Sequence, residues 1–220
     1  MKRQSFDKTL FVRYFMFFLG LVVIAFGSVL TIRSNLGVAP WESFHIGLYY
    51  TFGLTIGIWT QIVGAIVIIL SFLIAKIKPN LGTVLNIVFF GAFIDLFLWL
   101  DIVPEWKTIG KQCLFFLLGL LIIGIGFGMY ISPRLGAGPR DSLMLAINEK
   151  WGWSIQRSRI TIEVAVLLAG WLMGGPVSIG TFLIAILLGP LIQWSIPFWE
   201  KRMAKSFGRV PKEPIVVNGS

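Results

Sequence analysis

Two side chains that carry much of enzyme chemistry are almost absent, since the 220 residues contain one cysteine, Cys113, and one histidine, His45. A single cysteine forbids an intramolecular disulfide and leaves no thiolate cluster for a metal, and one histidine does not make a metal site. Charge is scarce as well. Only 13% of the residues are charged, against 56% apolar and 15% aromatic, which leaves too little polar surface to cover a water-facing globule. No Ser/His/Asp triad, zinc spacing or P-loop occurs, so neither hydrolysis nor ATP coupling is expected, and no cofactor is called for. Gly124-x-Gly126-x-Gly128 lacks the third glycine of a dinucleotide fingerprint and lies inside an apolar run.

What the chain has in quantity is uninterrupted apolar sequence. Arg13 to Arg33 encloses 19 uncharged residues, Glu42 to Lys76 encloses 33, Lys111 to Arg134 encloses 22 and Glu163 to Glu200 encloses 36. A span needs about 20 apolar residues, so each run holds one or two. Six spans are expected, near 14–33, 55–75, 80–100, 112–132, 158–174 and 179–199, with tight turns at Lys76 to Pro79 and Gly174-Gly175-Pro176. The first is longer than a signal-peptide core, lacks a small-residue cleavage site and precedes further spans, so it is expected to remain as an anchor.

The same break interrupts this apolar sequence twice. Leu36-Gly37-Val38-Ala39-Pro40-Trp41-Glu42-Ser43 returns 99 positions later as Leu135-Gly136-Ala137-Gly138-Pro139-Arg140-Asp141-Ser142. Gly20, Gly27, Gly53 and Ile56 meet Gly119, Gly126, Gly152 and Ile155 at the same offset, and after a one-residue slip Gly82-Thr83 and Gly91 meet Gly180-Thr181 and Gly189. Each break opens a segment of roughly fifteen residues, 39–53 and 138–152, too short to cross a bilayer at about 1.5 Å rise per residue. Proline suits the first helical position and glycine the C-terminal cap, so half-helices are expected from Pro40 to Gly53 and from Pro139 to Gly152, re-entering the membrane. The expected architecture is all-α and polytopic. It is one transmembrane domain, 1–220, with repeats at 14–100 and 112–199 and a basic tail at 200–220.

Three spans per repeat is odd, so the second copy must enter from the opposite side. With the N-terminus inside, the inner face collects Lys2, Arg3, Lys8, Arg13, Lys76, Lys78, Arg134, Arg140, Lys150, Arg157, Arg159, Lys201, Arg202, Lys205, Arg209 and Lys212, and only Arg33, Lys107 and Lys111 lie outside. This split of 16 to 3 obeys the positive-inside rule better than the 14 to 5 that results if both half-helices cross. The net charge of +9 is then accounted for by anionic lipid headgroups, without a nucleic-acid partner.

The repeated Leu-Gly-x-x-Pro-x-acid-Ser element, the stretch from Thr31 to Ile58 and the Asn80 to Leu98 segment with Gly82-Thr83, Asn86, Gly91 and Asp95 resemble the YczE/YyaS/YitT group of bacterial integral membrane proteins, closest to its short YczE-like branch. The resemblance implies a multi-pass protein of the bacterial cytoplasmic membrane, with links to secondary-metabolite production. The chain lacks the soluble C-terminal domain of longer YitT-like members, so no role residing there carries over.

Candidate site residues cluster at the breaks. Glu42 and Asp141 occupy the third position of their half-helices, where each carboxylate can either cap its own backbone N–H groups or face a shared cavity and bind a proton or a cation. His45, one turn past Glu42, shares its face. Trp41 fits an interfacial anchor or a cavity wall that stacks on a cation. Arg140 fits a positive-inside charge or an anion partner at a helix start. Ser43 and Ser142 complete the motif, and Gly37, Pro40, Gly136 and Pro139 make the breaks. Asp95, Asn86 and Gln193 are polar groups inside spans, Asp95 reading equally as a coupling acid or as a helix clamp. Glu163 stands one turn from Arg159, spaced for an ion pair.

Two functions fit these features. One is a small secondary transporter with alternating access around the half-helices, moving a cationic or zwitterionic solute with proton coupling through Glu42, Asp141 or Asp95. The other is a non-transporting regulator or scaffold that recruits a partner through basic loops and the tail; a lipid-modifying enzyme ranks third. Gly53/Gly57, Gly124/Gly128 and Gly170/Gly174 have the spacing of close helix contacts, here or in a homodimer.

Overall fold

In the computed structural model residues 2–136 and 138–207 are described, with side chains over 9–136 and 138–205. Ala137 of the second break, the side chains of Lys2, Arg3 and Lys8, and the tail beyond 207 with Arg209 and Lys212 lie outside the described residues. Eight helices follow one another: α1 (Lys2–Ser34), α2 (Pro40–Phe52), α3 (Ile56–Ala75), α4 (Leu81–Trp99), α5 (Ile109–Ile131), α6 (Pro139–Trp151), α7 (Ile155–Leu172) and α8 (Ile179–Phe207).

Local chemistry sets the boundaries. Pro40 and Pro139 begin α2 and α6, and Gly53 and Gly152 close them at φ 73° and 67°, a left-handed conformation that glycine adopts without a Cβ penalty. Thr55, Asn80 and Ser154 cap α3, α4 and α7 by accepting the backbone N–H groups of Ile58, Thr83 and Arg157. Replacing Asn80 with alanine is expected to cost about 1 kcal/mol, read as a lower melting temperature in detergent.

Among the described residues five helices are long and apolar enough to cross a membrane: Thr9–Ser34 of α1, α3, α4, α5 and Ile179–Lys205 of α8. The sixth expected span forms as α7, but its 18 residues include Arg157, Arg159 and Glu163, and it does not qualify by composition. Large apolar side chains such as Ile69, Leu73, Leu121 and Ile186 lie on the outside, as in a protein whose solvent is lipid.

Glycines draw the central pair together. A Cβ on Gly20 would stand 2.5 Å from the Tyr130 backbone nitrogen, and one on Gly27 would stand 2.9 Å from the Gly119 carbonyl oxygen. The register rises along α1 as it falls along α5, so the two helices run antiparallel. Glycines likewise bring α3 against α4 at Gly57 and Gly91, and α2 against α7 at Gly47 and Gly170. Gly124 and Gly128 of α5 receive Leu191 and Ser195 of α8.

The breaks dock across the sequence halves. The Gly180 N–H donates to the Leu36 carbonyl at 2.9 Å, and the Ser178 hydroxyl donates to the same oxygen. At the matching place in the other half, a Cβ on Gly82 would meet the Leu135 carbonyl oxygen at 2.4 Å, and Gly136 packs on the Asn80 side chain. Gly37, at φ 123°, lies so close to Ser178 and Thr181 that only glycine fits. Each break thus leans on the start of the other half's last helix.

Candidate functional site

The start of α2 and the start of α6 open onto one cavity of about 250 Å³. Ala39, Pro40, Trp41, Glu42 and His45 come from one half, and Gly138, Pro139, Arg140, Asp141 and Met144 from the other. Apolar residues such as Leu21, Val63, Ile87, Phe90, Phe127 and Ile184 form most of the remaining wall, with Thr60, Asn86 and Tyr130 among the polar ones.

The second positions of the half-helices, Trp41 and Arg140, meet face to face. The Arg140 guanidinium carbon lies 4.8 Å from the centre of the Trp41 ring, and its Nη2 is 3.7 Å from Glu42 Oε1. One cation therefore ties the two half-helix starts together through a cation–π contact and an ion pair. Arg140 thus has two partners on the other half-helix while its side chain remains partly exposed.

The matched acids behave differently. The Asp141 carboxylate lies beside the Gly138 backbone, where it answers the positive start of its own helix, while its side chain stays open to the cavity. Glu42 is 6% exposed. Its Oε2 has no hydrogen-bond partner among the described residues, although buried acceptors are nearly always paired.

His45 is 2% exposed, with Nδ1 3.0 Å from the Thr60 hydroxyl and Nε2 unpartnered among the described residues. The Thr60 hydroxyl also lies 2.9 Å from the Ile56 carbonyl; when its hydrogen goes there, its oxygen accepts from Nδ1–H and Nε2 is the free acceptor of the ring. Tyr130, 4% exposed, adds a hydroxyl that likewise lacks a partner and lies beside Gly138 at the start of α6.

The other candidates divide between the cavity and places outside it. Asp95 is not among the cavity residues; its carboxylate accepts the Thr55 hydroxyl at 2.5 Å and the Gly57 N–H at 2.7 Å, clamping α4 to the start of α3. Asp95→Asn is therefore expected to lower the melting temperature by several degrees while leaving ligand binding by the folded fraction within twofold, as thermal shift and titration will measure. Gln193 is exposed on α8, outside the cavity lining. Ser43 is buried where Gly170 and Gly175 pack on α2, and Ser142 donates to the Gly138 carbonyl at 3.2 Å. Asn86 lines the cavity. So do Arg159 and Glu163, paired at 2.9 Å. Arg33 is held by Asp101 at 2.6 Å and Glu105 at 2.9 Å.

Sequence reasoning missed Tyr130 and Thr60. Both are neutral residues in apolar helices, with no local signal beyond polarity.

A family of unknown function (DUF6198) matches residues 11–197. The chain belongs to this family. The chain is 44% identical over 189 residues to the "Uncharacterized membrane protein YczE" of Bacillus subtilis, covering 86% of this chain and 87% of that protein. It is 32% identical over 174 residues to an "Uncharacterized protein" of Haemophilus influenzae, covering 79% and 78%, and 29% identical over 192 residues to the "Uncharacterized protein YyaS" of B. subtilis, covering 86% and 94%. The resemblance to YczE and YyaS read from the breaks therefore holds, and with the apolar helices it makes the DUF6198 chain a multi-pass membrane protein. No solved structure matches.

Proposed function

We propose that the protein is a small secondary transporter in which two inverted repeats, of three spans and one re-entrant half-helix each, alternate access to the cavity between α2 and α6. The observation that carries this reading is the meeting of both half-helix starts at one cavity holding buried polar atoms without protein partners. Interrupted helices that deliver such groups to a repeat interface are the usual way a transporter builds a solute site.

Further support comes from α1 and α5, equivalent helices of the two halves that run antiparallel, as inverted repeats require. Charges sort in the same sense. Arg13 of α1 donates to the Pro133 carbonyl after α5, and Arg134 pairs with Glu200 of α8 at one end, while Arg33 pairs with Asp101 and Glu105 at the other. With the basic end placed inside, both termini are cytoplasmic.

Glu42, Asp141 and Glu163 outnumber Arg140 and Arg159 around the cavity, which favours a cationic or zwitterionic solute over an anion. Glu42 and Asp141 are the groups available for a coupling proton. A thermal-shift screen of small solutes on purified protein, followed by uptake of each hit into proteoliposomes, tests the reading. At least one cationic or zwitterionic solute is expected to stabilise the protein and to enter only vesicles that contain it. Absence of any stabilising solute across pH contradicts it, as does activity that depends on residues 203–220 and is indifferent to Glu42.

A further inference from the structure

We infer that the cavity recognises a small primary ammonium group carried on a compact apolar body. The inference rests on reading this cavity as a solute site and specifies what the solute must present. Three polar side chains that line it, each more than nine-tenths buried, end in atoms without a partner among the described residues: Glu42 Oε2, His45 Nε2 and Tyr130 Oη. A carboxylate oxygen only accepts hydrogen bonds. The His45 tautomer that donates from Nδ1 to Thr60 presents Nε2 as an acceptor too, and the Tyr130 hydroxyl can accept or donate.

A ligand that satisfies these atoms must bring N–H donors. A primary ammonium has three and no acceptor, and its charge answers the Glu42 carboxylate, whose other oxygen already faces Arg140. A carboxylate or phosphate finds one donor among the three, the Tyr130 hydroxyl, and sets its charge against the Glu42 carboxylate. A quaternary ammonium brings charge without N–H groups, and the Trp41 face that suits it is covered by Arg140. The remaining wall is mainly aliphatic and aromatic, and about 250 Å³ is below the range of pockets for drug-sized ligands, so the body attached to nitrogen is apolar and small.

The test uses full-length protein in detergent and three probes: cyclohexylammonium, tetramethylammonium and cyclohexanecarboxylate. Cyclohexylammonium, at a hundredfold excess over its dissociation constant, is expected to raise the melting temperature by roughly 5–10 °C, and the other two to leave it unchanged. Tyr130→Phe keeps the ring and removes only a hydroxyl that has no partner among the described residues, so it is expected to fold normally and to bind cyclohexylammonium roughly three- to tenfold more weakly. Equal stabilisation by tetramethylammonium, stabilisation by the carboxylate, no stabilisation by the primary amine, or unchanged amine affinity in the folded Tyr130→Phe protein overturns the inference. Amine binding without uptake into proteoliposomes contradicts transport and leaves the ammonium site standing; uptake of another solute without amine binding does the reverse.

Discussion

Gly20→Val is expected to remove most of the folded protein. A Cβ at this position lands 2.5 Å from the Tyr130 backbone nitrogen and 2.8 Å from its Cα, and backbone cannot rotate away as a side chain can. The α1–α5 crossing must open, at a cost of about 3 kcal/mol or more, and Tyr130 moves with it. The melting temperature should fall by roughly 6–12 °C. Gly189→Ala is the control, because nothing lies within 4 Å of a Cβ there. It should be neutral or slightly stabilising, since alanine favours a helix by about 1 kcal/mol over glycine. Equal losses in both variants would show that the close crossing does not hold the fold together.

The second large effect is expected from Glu42→Gln. The amide keeps the shape of the side chain but removes the charge facing Arg140 at 3.7 Å and turns part of a buried acceptor into a donor. Truncating one partner of a buried charge pair commonly costs about 2–5 kcal/mol, so uptake into proteoliposomes should fall at least about thirtyfold. Asp141→Asn should cost less. Asparagine retains an oxygen beside the Gly138 backbone, and Asp141 makes no ion pair with the other half-helix in this conformation. Matched acids at matched positions thus carry unequal weight, and equal flux losses would contradict the division of labour drawn from the geometry.

The half-helices were legible because their signals are local: proline at the start, glycine at the end, and too few residues to cross. Duplication was legible for the same reason, since an offset of 99 needs no structure. Long-range partners were not. Arg140 reads as a charge on its own helix until Trp41 and Glu42 are brought against it, and Asp95 reads equally as a coupling acid or a helix clamp until α4 places it on Thr55 and Gly57. The span expected near 158–174 already contains Arg159 and Glu163, and the helix begins three residues earlier, at Ile155, which adds Arg157. Tyr130 gave no signal, because a tyrosine at the end of an apolar helix looks the same whether it packs or binds.

The central claim is that the cavity between α2 and α6 opens in turn to both sides of the membrane. Cys113 is the one cysteine, so a Cys113→Ser background allows a single cysteine to be placed on the cavity wall at Asn86 or Met144. A membrane-impermeant thiol reagent is then added to right-side-out and to inverted vesicles. Alternating access predicts that each cysteine is labelled from either face. Labelling from one face only, or from neither, would contradict the account.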